Sequence, residues 1–535
     1  MSGEAASVVA ATVPLLEQFA GIIGSENCLQ GADAEAFSTD VYRAIEPPFA
    51  VLRPRTVEHV QAVLRLAHDH DLSVMVRGGG ASYTDGYLPR APRTLLLDLS
   101  GLDRIVEINE DDCYVTVEAG VTWAALSGSL AAKGWRTPFR GPFSGLHATV
   151  GGSMSQNALS HGTGAHGISA QSVLSFDVLR IDGTLLRTGS ASAGASPFAR
   201  HFGPDLTGLF TGDCGALAVK VRVTLPLLRA RPAHRVVSFA FPSFDALHQA
   251  MCEVSREQLE ESQFALDQAL SQGQIARQDN AGEMLQLAWS IFRSSPSWLK
   301  GISQLLRAAL GVRRAIGESA YMAHYIVEGV CDAEARGRLH RIRELALPHG
   351  KEIAATVPAL VRDMPFAPFF NTLGPAGERW IPLHGVLPHS QAAAFHRALE
   401  SFYTQRRAQL DELKIWTGGM FATVGSSGFL YEIAIYWQDE ITAYHRSVVP
   451  EEYLAALPKY PANVRAREYV HQMKADLAEL YVSHGAVNFQ LGRFYPYAER
   501  LSPEGMALLG SIKVNLDPDA RLSEGVLGLS DGRTV

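Results

Sequence analysis

Cysteine is scarce and scattered in this sequence. Five occur in 535 residues, at Cys28, Cys113, Cys214, Cys252 and Cys331, with no CxxC pair. That spacing excludes a disulfide framework and spells no zinc or iron–sulfur motif, so no metal is expected and a reducing, cytoplasmic setting fits best. No run of about 18 apolar residues is present, and the start lacks a basic stretch followed by an apolar one. Neither a transmembrane segment nor a secretory leader is expected. Positive charge is not in excess either. Lysine and arginine number 47 against 55 acidic residues, for a net charge of -8, and they form no block of the kind nucleic acid requires. Internal repeats and low-complexity tracts are also missing.

The chain does have a globular composition, 47% hydrophobic and 19% charged, and a length that implies two or three domains. Residues 49–52 read as a buried strand. Thr56 then caps a helix to His70 on which Val57, Val60, Val63 and Leu64 recur at helical spacing. A strand at 72–76 runs straight into three glycines. Further strands are expected at 95–99, 105–108, 114–118, 173–181, 185–188 and 216–225, with a helix at 122–133. After the proline- and arginine-rich stretch 226–232 the pattern changes. Strand–helix pairs at 236–258 and 320–346, with later strands at 380–387 and 429–437, predict a second α+β domain on an antiparallel sheet. The amphipathic segment 298–314 offers a contact to a domain or to another subunit of a homo-oligomer.

Three glycine-rich segments carry the chemical signal. In the first, Arg77-Gly78-Gly79-Gly80-Ala81-Ser82 with Gly86 beyond, a strand delivers bare backbone amides to a loop, which is the arrangement that cradles a pyrophosphate. The second holds Thr149, Gly151, Gly152, Ser153 and Asn157, followed by Gly162. In the third, Gly212-Asp213-Cys214-Gly215 feeds a strand containing Val219.

These segments, with Leu97-Asp98-Leu99, Val117-Glu118-Ala119-Gly120 and the late Lys513-Val514-Asn515-Leu516-Asp517-Pro518, resemble the FAD-linked oxidase family typified by vanillyl-alcohol oxidase and p-cresol methylhydroxylase. The resemblance implies an α+β chain with a two-subdomain FAD-binding fold and a cap domain. The expected divisions are an FAD-binding domain at 1–230, a substrate domain at 231–477 and a return segment at 478–535 completing the FAD site. It implies FAD contacts from Gly78, Gly79, Gly80, Ala81, Ser82, Gly86, Thr149, Gly151, Gly152, Ser153, Asn157, Gly162, Gly215 and Val219. It also implies an oxidoreductase that passes hydride from a small substrate to flavin N5, with oxygen or an electron-carrier protein as final acceptor. A phenolic, benzylic or related alcohol is the expected substrate, with a 2-hydroxy acid or a non-redox role as alternatives. Ala81 and His147 stand where berberine-bridge-like relatives tether the flavin, so non-covalent binding is expected. Tyr431, Tyr436, Arg493, Tyr495 and His384 are the candidate catalytic residues, because tyrosine with arginine suits a phenolate or carboxylate and histidine can serve as base.

Overall fold

The computed structural model describes residues 14–279 and 320–529; the segment 298–314 lies outside them. The chain divides into two units, one of residues 1–158, 169–229 and 490–535, the other of 159–168 and 230–489. The chain thus leaves the first unit at 229 and returns at 490, later than the expected 478. Residues 478–489 finish a helix of the second unit, where the buried Tyr481 donates its hydroxyl to the Tyr431 carbonyl (2.9 Å) and Val487 bridges to Val386.

The first unit contains a four-stranded sheet of β1 (Cys28–Leu29), β2 (Ala50–Leu52), β3 (Ser73–Arg77) and β4 (Thr94–Asp98) in the order β1-β2-β4-β3. Strands β2 and β3 run parallel to β4. The crossover between β2 and β3 is α1 (Val57–Asp69), whose Thr56 cap accepts from the His59 amide at 3.1 Å. Its apolar stripe enters a core with Leu52, Leu95, Leu97, Val219 and Leu522. After β5 (Ile105–Asn109), β6 (Tyr114–Glu118), α2 (Trp123–Ala131), β7 (Trp135–Arg136) and α3 (Val150–Gln156) come β8 (Ser175–Leu179), β9 (Leu185–Arg187), β10 (Val219–Pro226) and β11 (Leu228–Arg229). An antiparallel sheet takes the order β5-β6-β10-β8-β9, and β7 pairs with β11.

The second unit is built on a seven-stranded antiparallel sheet. Its elements are β12 (Ala233–Phe241), α4 (Phe244–Arg256), β13 (Ser262–Asp267), β14 (Tyr321–Gly329), α5 (Asp332–Ala346), β15 (Lys351–Ile353), β16 (Arg379–Pro388), α6 (His389–Glu412), β17 (Trp416–Val424), β18 (Gly428–Trp437) and α7 (Val464–Ser483). The strand order is β15-β12-β14-β13-β17-β18-β16. Alternation along β18 sends Tyr431 to the side covered by α4 and α6, where it meets Phe244 and Phe395. Leu430, Glu432, Ala434 and Tyr436 point to the opposite face.

Candidate functional site

In the first unit the ends of β3, α3 and β10 enclose a cavity of about 900 Å³, its open mouth included. The first glycine loop forms one wall and the second segment faces it, and their glycines are set by how closely the two backbones approach. A Cβ on Gly79 would stand 1.8 Å from the His147 carbonyl oxygen, one on Gly78 2.5 Å from Thr149 Oγ1, and one on Gly151 2.6 Å from the Ala119 Cβ. Gly80 adopts φ +70° beneath the Arg77 guanidinium, which pairs with the buried Asp98 at 3.4 Å. The Tyr87 hydroxyl lies 3.1 Å from the Gly80 carbonyl and 3.2 Å from that of Thr39, so both carbonyls are engaged by one side chain.

Holding the carbonyls this way leaves amides over. Among the described residues the backbone N–H groups of Gly79, Gly80, Ala81 and Ser82 find no hydrogen-bond partner, a costly arrangement unless an acceptor comes from outside the chain. The opposite wall is rigid by contrast. Thr149 caps α3 by accepting from the Gly152 amide at 3.2 Å, and the Trp123 indole donates to Ser153 Oγ at 2.7 Å.

Eleven of the expected contact residues line this cavity: Gly78, Gly79, Gly80, Ala81, Ser82, Gly86, Thr149, Gly151, Gly152, Ser153 and Gly215. Three do not. Asn157 closes α3 in a left-handed turn (φ 51°), with its side chain against Gly212. Gly162 belongs to the second unit, where its amide donates to Ser262 Oγ at 2.9 Å. Val219 points into the apolar core, since strand alternation gives the cavity its neighbours Ala218 and Lys220 instead.

Lys220, Tyr87, Gln156, Cys214 and Gln490 are lining residues that sequence reasoning did not assign to cofactor binding. The alternation from Ala218 was the available signal for Lys220. Its buried ammonium is matched by Asp213, 2.5 Å away, which also accepts from the Gly215 amide at 3.0 Å. Burial pushes the Cys214 thiol up to about 12, so it remains protonated and is no nucleophile. His147, half-buried and near Arg77, is shifted down by desolvation and by that charge.

The closing Lys-x-x-x-Asp element acts as a clasp in this unit. From the helix Pro503–Leu516, Lys513 donates to the carbonyls of Ala216 (2.8 Å) and Leu522 (2.9 Å) and pairs with Asp517 at 2.5 Å. The segment beyond bonds to β3: the Val74 amide donates to Arg521 and the Ser523 amide to Val74, both at 2.8 Å. Thus one buried ammonium secures the third glycine segment to the return.

The candidate catalytic residues fall into separate places. Arg493 and Tyr495 are in the first unit, while His384, Tyr431 and Tyr436 are in the second. The Arg493 guanidinium is committed to the carbonyls of Leu88 and Glu524, and burial lowers it to about 10. Tyr495 is buried beside Phe494. Tyr431 is withdrawn from the face of Tyr436, its hydroxyl 2.9 Å from His396 Nδ1 under the helices. That correction follows from parity, because 431 and 436 differ by an odd number along one strand.

His384 and Tyr436 do share a face. His384 stacks on Phe489 at 3.8 Å, Tyr436 on Trp416 at 3.8 Å, and Glu432 lies directly across the strand pair from His384. Glu432, which sequence reasoning passed over, is half-buried, and desolvation raises its carboxyl to about 7.

Residues 48–189 match the family model described as FAD binding domain. This stretch is an FAD-binding domain. FAD is therefore its cofactor, and the site agrees: the partnerless amides of the first loop offer donors for a pyrophosphate, and the bare glycine walls leave room for it. The structure is similar to 4-ethylphenol oxidase from Gulosibacter chungangensis (TM-score 0.71, 17% identity, 98% of each chain). It is also similar to p-cresol methylhydroxylase (TM-score 0.69, 16% identity, 97% of this chain and 96% of that one). At such identities the likeness establishes the fold. Among curated sequences, the chain is 28% identical over 237 residues to a probable mitochondrial D-lactate dehydrogenase of Danio rerio, 44% of this chain and 46% of that protein. It is 30% identical over 199 residues to glycolate oxidase subunit GlcD of Escherichia coli (strain K12), 37% of this chain and 38% of that protein. The chain thus spans less than half the length of each of these two relatives.

Proposed function

We propose that this FAD-binding protein is an oxidoreductase whose substrate is a small phenolic, benzylic or related alcohol, with oxygen or an electron-carrier protein taking the electrons. When bound, FAD supplies the hydride acceptor at N5 of its ring. The chain's own part begins with the loop amides of residues 79–82, which hold the cofactor by its diphosphate and fix its position.

The observation that carries the substrate class is the chemistry of the sheet face in the second unit. Across β13, β16, β17 and β18 this face presents Phe264, Trp380, His384, Trp416, Met420, Glu432 and Tyr436, and no lysine or arginine. Aromatic walls favour a flat neutral ring. A carboxylate substrate needs a cationic partner and would meet Glu432 instead. A carboxyl raised to about 7 suits the task of accepting the proton of a substrate hydroxyl, and the buried His384 stands directly across the strand pair from it.

A second reading, oxidation of a D-2-hydroxy acid, is favoured by what the curated relatives are named for, although they match less than half of this chain. Anaerobic mixing separates the two. Para-substituted phenols and benzylic alcohols should bleach the flavin absorbance, while D-lactate and D-2-hydroxyglutarate should leave it unchanged. The opposite pattern would replace the first reading by the second.

A further inference from the structure

A cluster of ligating side chains lies on the helix-covered side of the second unit's sheet, opposite the face that carries His384 and Glu432. His248 and Cys252 stand one turn apart on α4, a spacing that puts both on one helical face. His389, the first residue of α6, reaches the same point from 137 positions further along the chain. Cys252 Sγ is 3.2 Å from His248 Nε2 and 2.8 Å from His389 Nδ1, and all three donor atoms fall within 4.8 Å of one another.

Hydrogen bonding alone makes poor use of this arrangement. A thiol has one weak donor proton, so it can serve only one of two imidazole nitrogens, and the other must spend an N–H on sulfur, a weak acceptor. A metal ion uses all three lone pairs at once. In a tetrahedral zinc site with Zn–S of about 2.3 Å and Zn–N of about 2.0 Å, sulfur and nitrogen stand about 3.5 Å apart. The present separations reach that value by opening about 0.3 Å at His248 and about 0.7 Å at His389, which side-chain rotation supplies.

The surroundings are those of a built site. Cys252 is 4% exposed. The ring of Phe244 stacks on His248 at 5.9 Å, and the edge of Phe429 meets His248 at 4.8 Å and approaches His389 at 6.2 Å. Two nitrogens and one sulfur form a borderline-soft set of the kind zinc takes, and the harder magnesium and calcium do not.

We propose that His248, Cys252 and His389 bind one zinc ion that clips the start of α6 to α4, leaving a fourth coordination position for water or an external ligand. The sequence hides this site because no short motif spans it.

Cobalt(II) and zinc(II) test the proposal on the flavin-loaded protein. After treatment with a chelator and desalting, titration with Co²⁺ should saturate at one equivalent, with ligand-field bands to the red of the flavin absorbance, and Zn²⁺ should abolish them. Zinc should also raise the Tm of the wild-type protein. His248→Gln, at a half-buried position, and Cys252→Ser should each weaken Zn²⁺ binding at least tenfold and remove its effect on Tm, with flavin absorbance reporting that each variant is folded. Should Cys252→Ser fail to fold, His248→Gln alone decides. Absence of cobalt binding to the folded wild type overturns the proposal, as does undiminished Zn²⁺ affinity in a folded variant.

Discussion

A methyl group at position 79 would lie 1.8 Å from the carbonyl oxygen of His147, and backbone cannot rotate away as a side chain can. Gly79→Ala should therefore push the two glycine segments apart, costing roughly 2 kcal/mol or more by overpacking, and FAD should be lost on gel filtration. Gly128 gives the contrast. It is helical, on α2, with nothing within 4 Å of an added Cβ, so Gly128→Ala should stabilise by about 0.5–1 kcal/mol through helix propensity and leave the flavin bound. Urea unfolding of both variants measures the pair. Glu432 gives a prediction in pH. Desolvation lifts its carboxyl from 4.5 to about 7, so between those values the native state keeps a proton that the unfolded chain has released. The stability of the native state therefore falls as pH rises from about 4.5 to 7 and levels off beyond. Glu432→Gln should remove that slope, gaining on the order of 1 kcal/mol over wild type at pH 8 and nothing at pH 4.5, the figure being reduced for partial exposure.

At the scale of elements, Lys513 fastens the return segment to the third glycine segment. Lys513 is 2% exposed and makes three contacts: to the Ala216 and Leu522 carbonyls and to Asp517. Lys513→Ala leaves the Asp517 carboxylate buried with no cation, which costs about 3–5 kcal/mol. Denaturant unfolding should show that loss, together with faster FAD release, because the third glycine segment loses its fastening. The Lys513-x-x-x-Asp517 spacing was visible in the sequence as a motif. What they clamp was not legible, because Ala216 lies 297 residues away. Parity worked in the same way. Alternation along β10 and β18 was readable from the residues. Which face met a cavity, and so that Lys220 would line it and Tyr431 would turn to His396, depended on what packed against each strand.

For the whole molecule, the FAD cavity draws on segments near 78–87, 142–156, 214–220 and 490 of the same unit. A ligand that binds only the folded form stabilises it by mass action, by about 2.7 kcal/mol at a hundredfold excess over Kd. Added FAD should therefore raise Tm, and amide hydrogen exchange should slow together in these four stretches and at Val74 and Ser523, where the return segment bonds to β3. Protection confined to residues 78–87 would show instead that the other walls contribute nothing. The amides of Gly79 to Ser82 should be the most strongly affected, having no partner within the described residues.

The sequence by itself determined the local features: strand into glycine loop, the cap at Thr56, and the succession of motifs that identifies an FAD-binding chain. Each of these is written within a few residues, on the length scale of backbone sterics and side-chain periodicity. Tertiary structure alone decided that His147 needs a bare Gly79, that Lys220 rather than Val219 faces the cavity, that Glu432 stands opposite His384, and that His389 meets Cys252. Such pairings depend on which faces of distant segments bury one another, and that free energy belongs to the packed whole rather than to any window of residues.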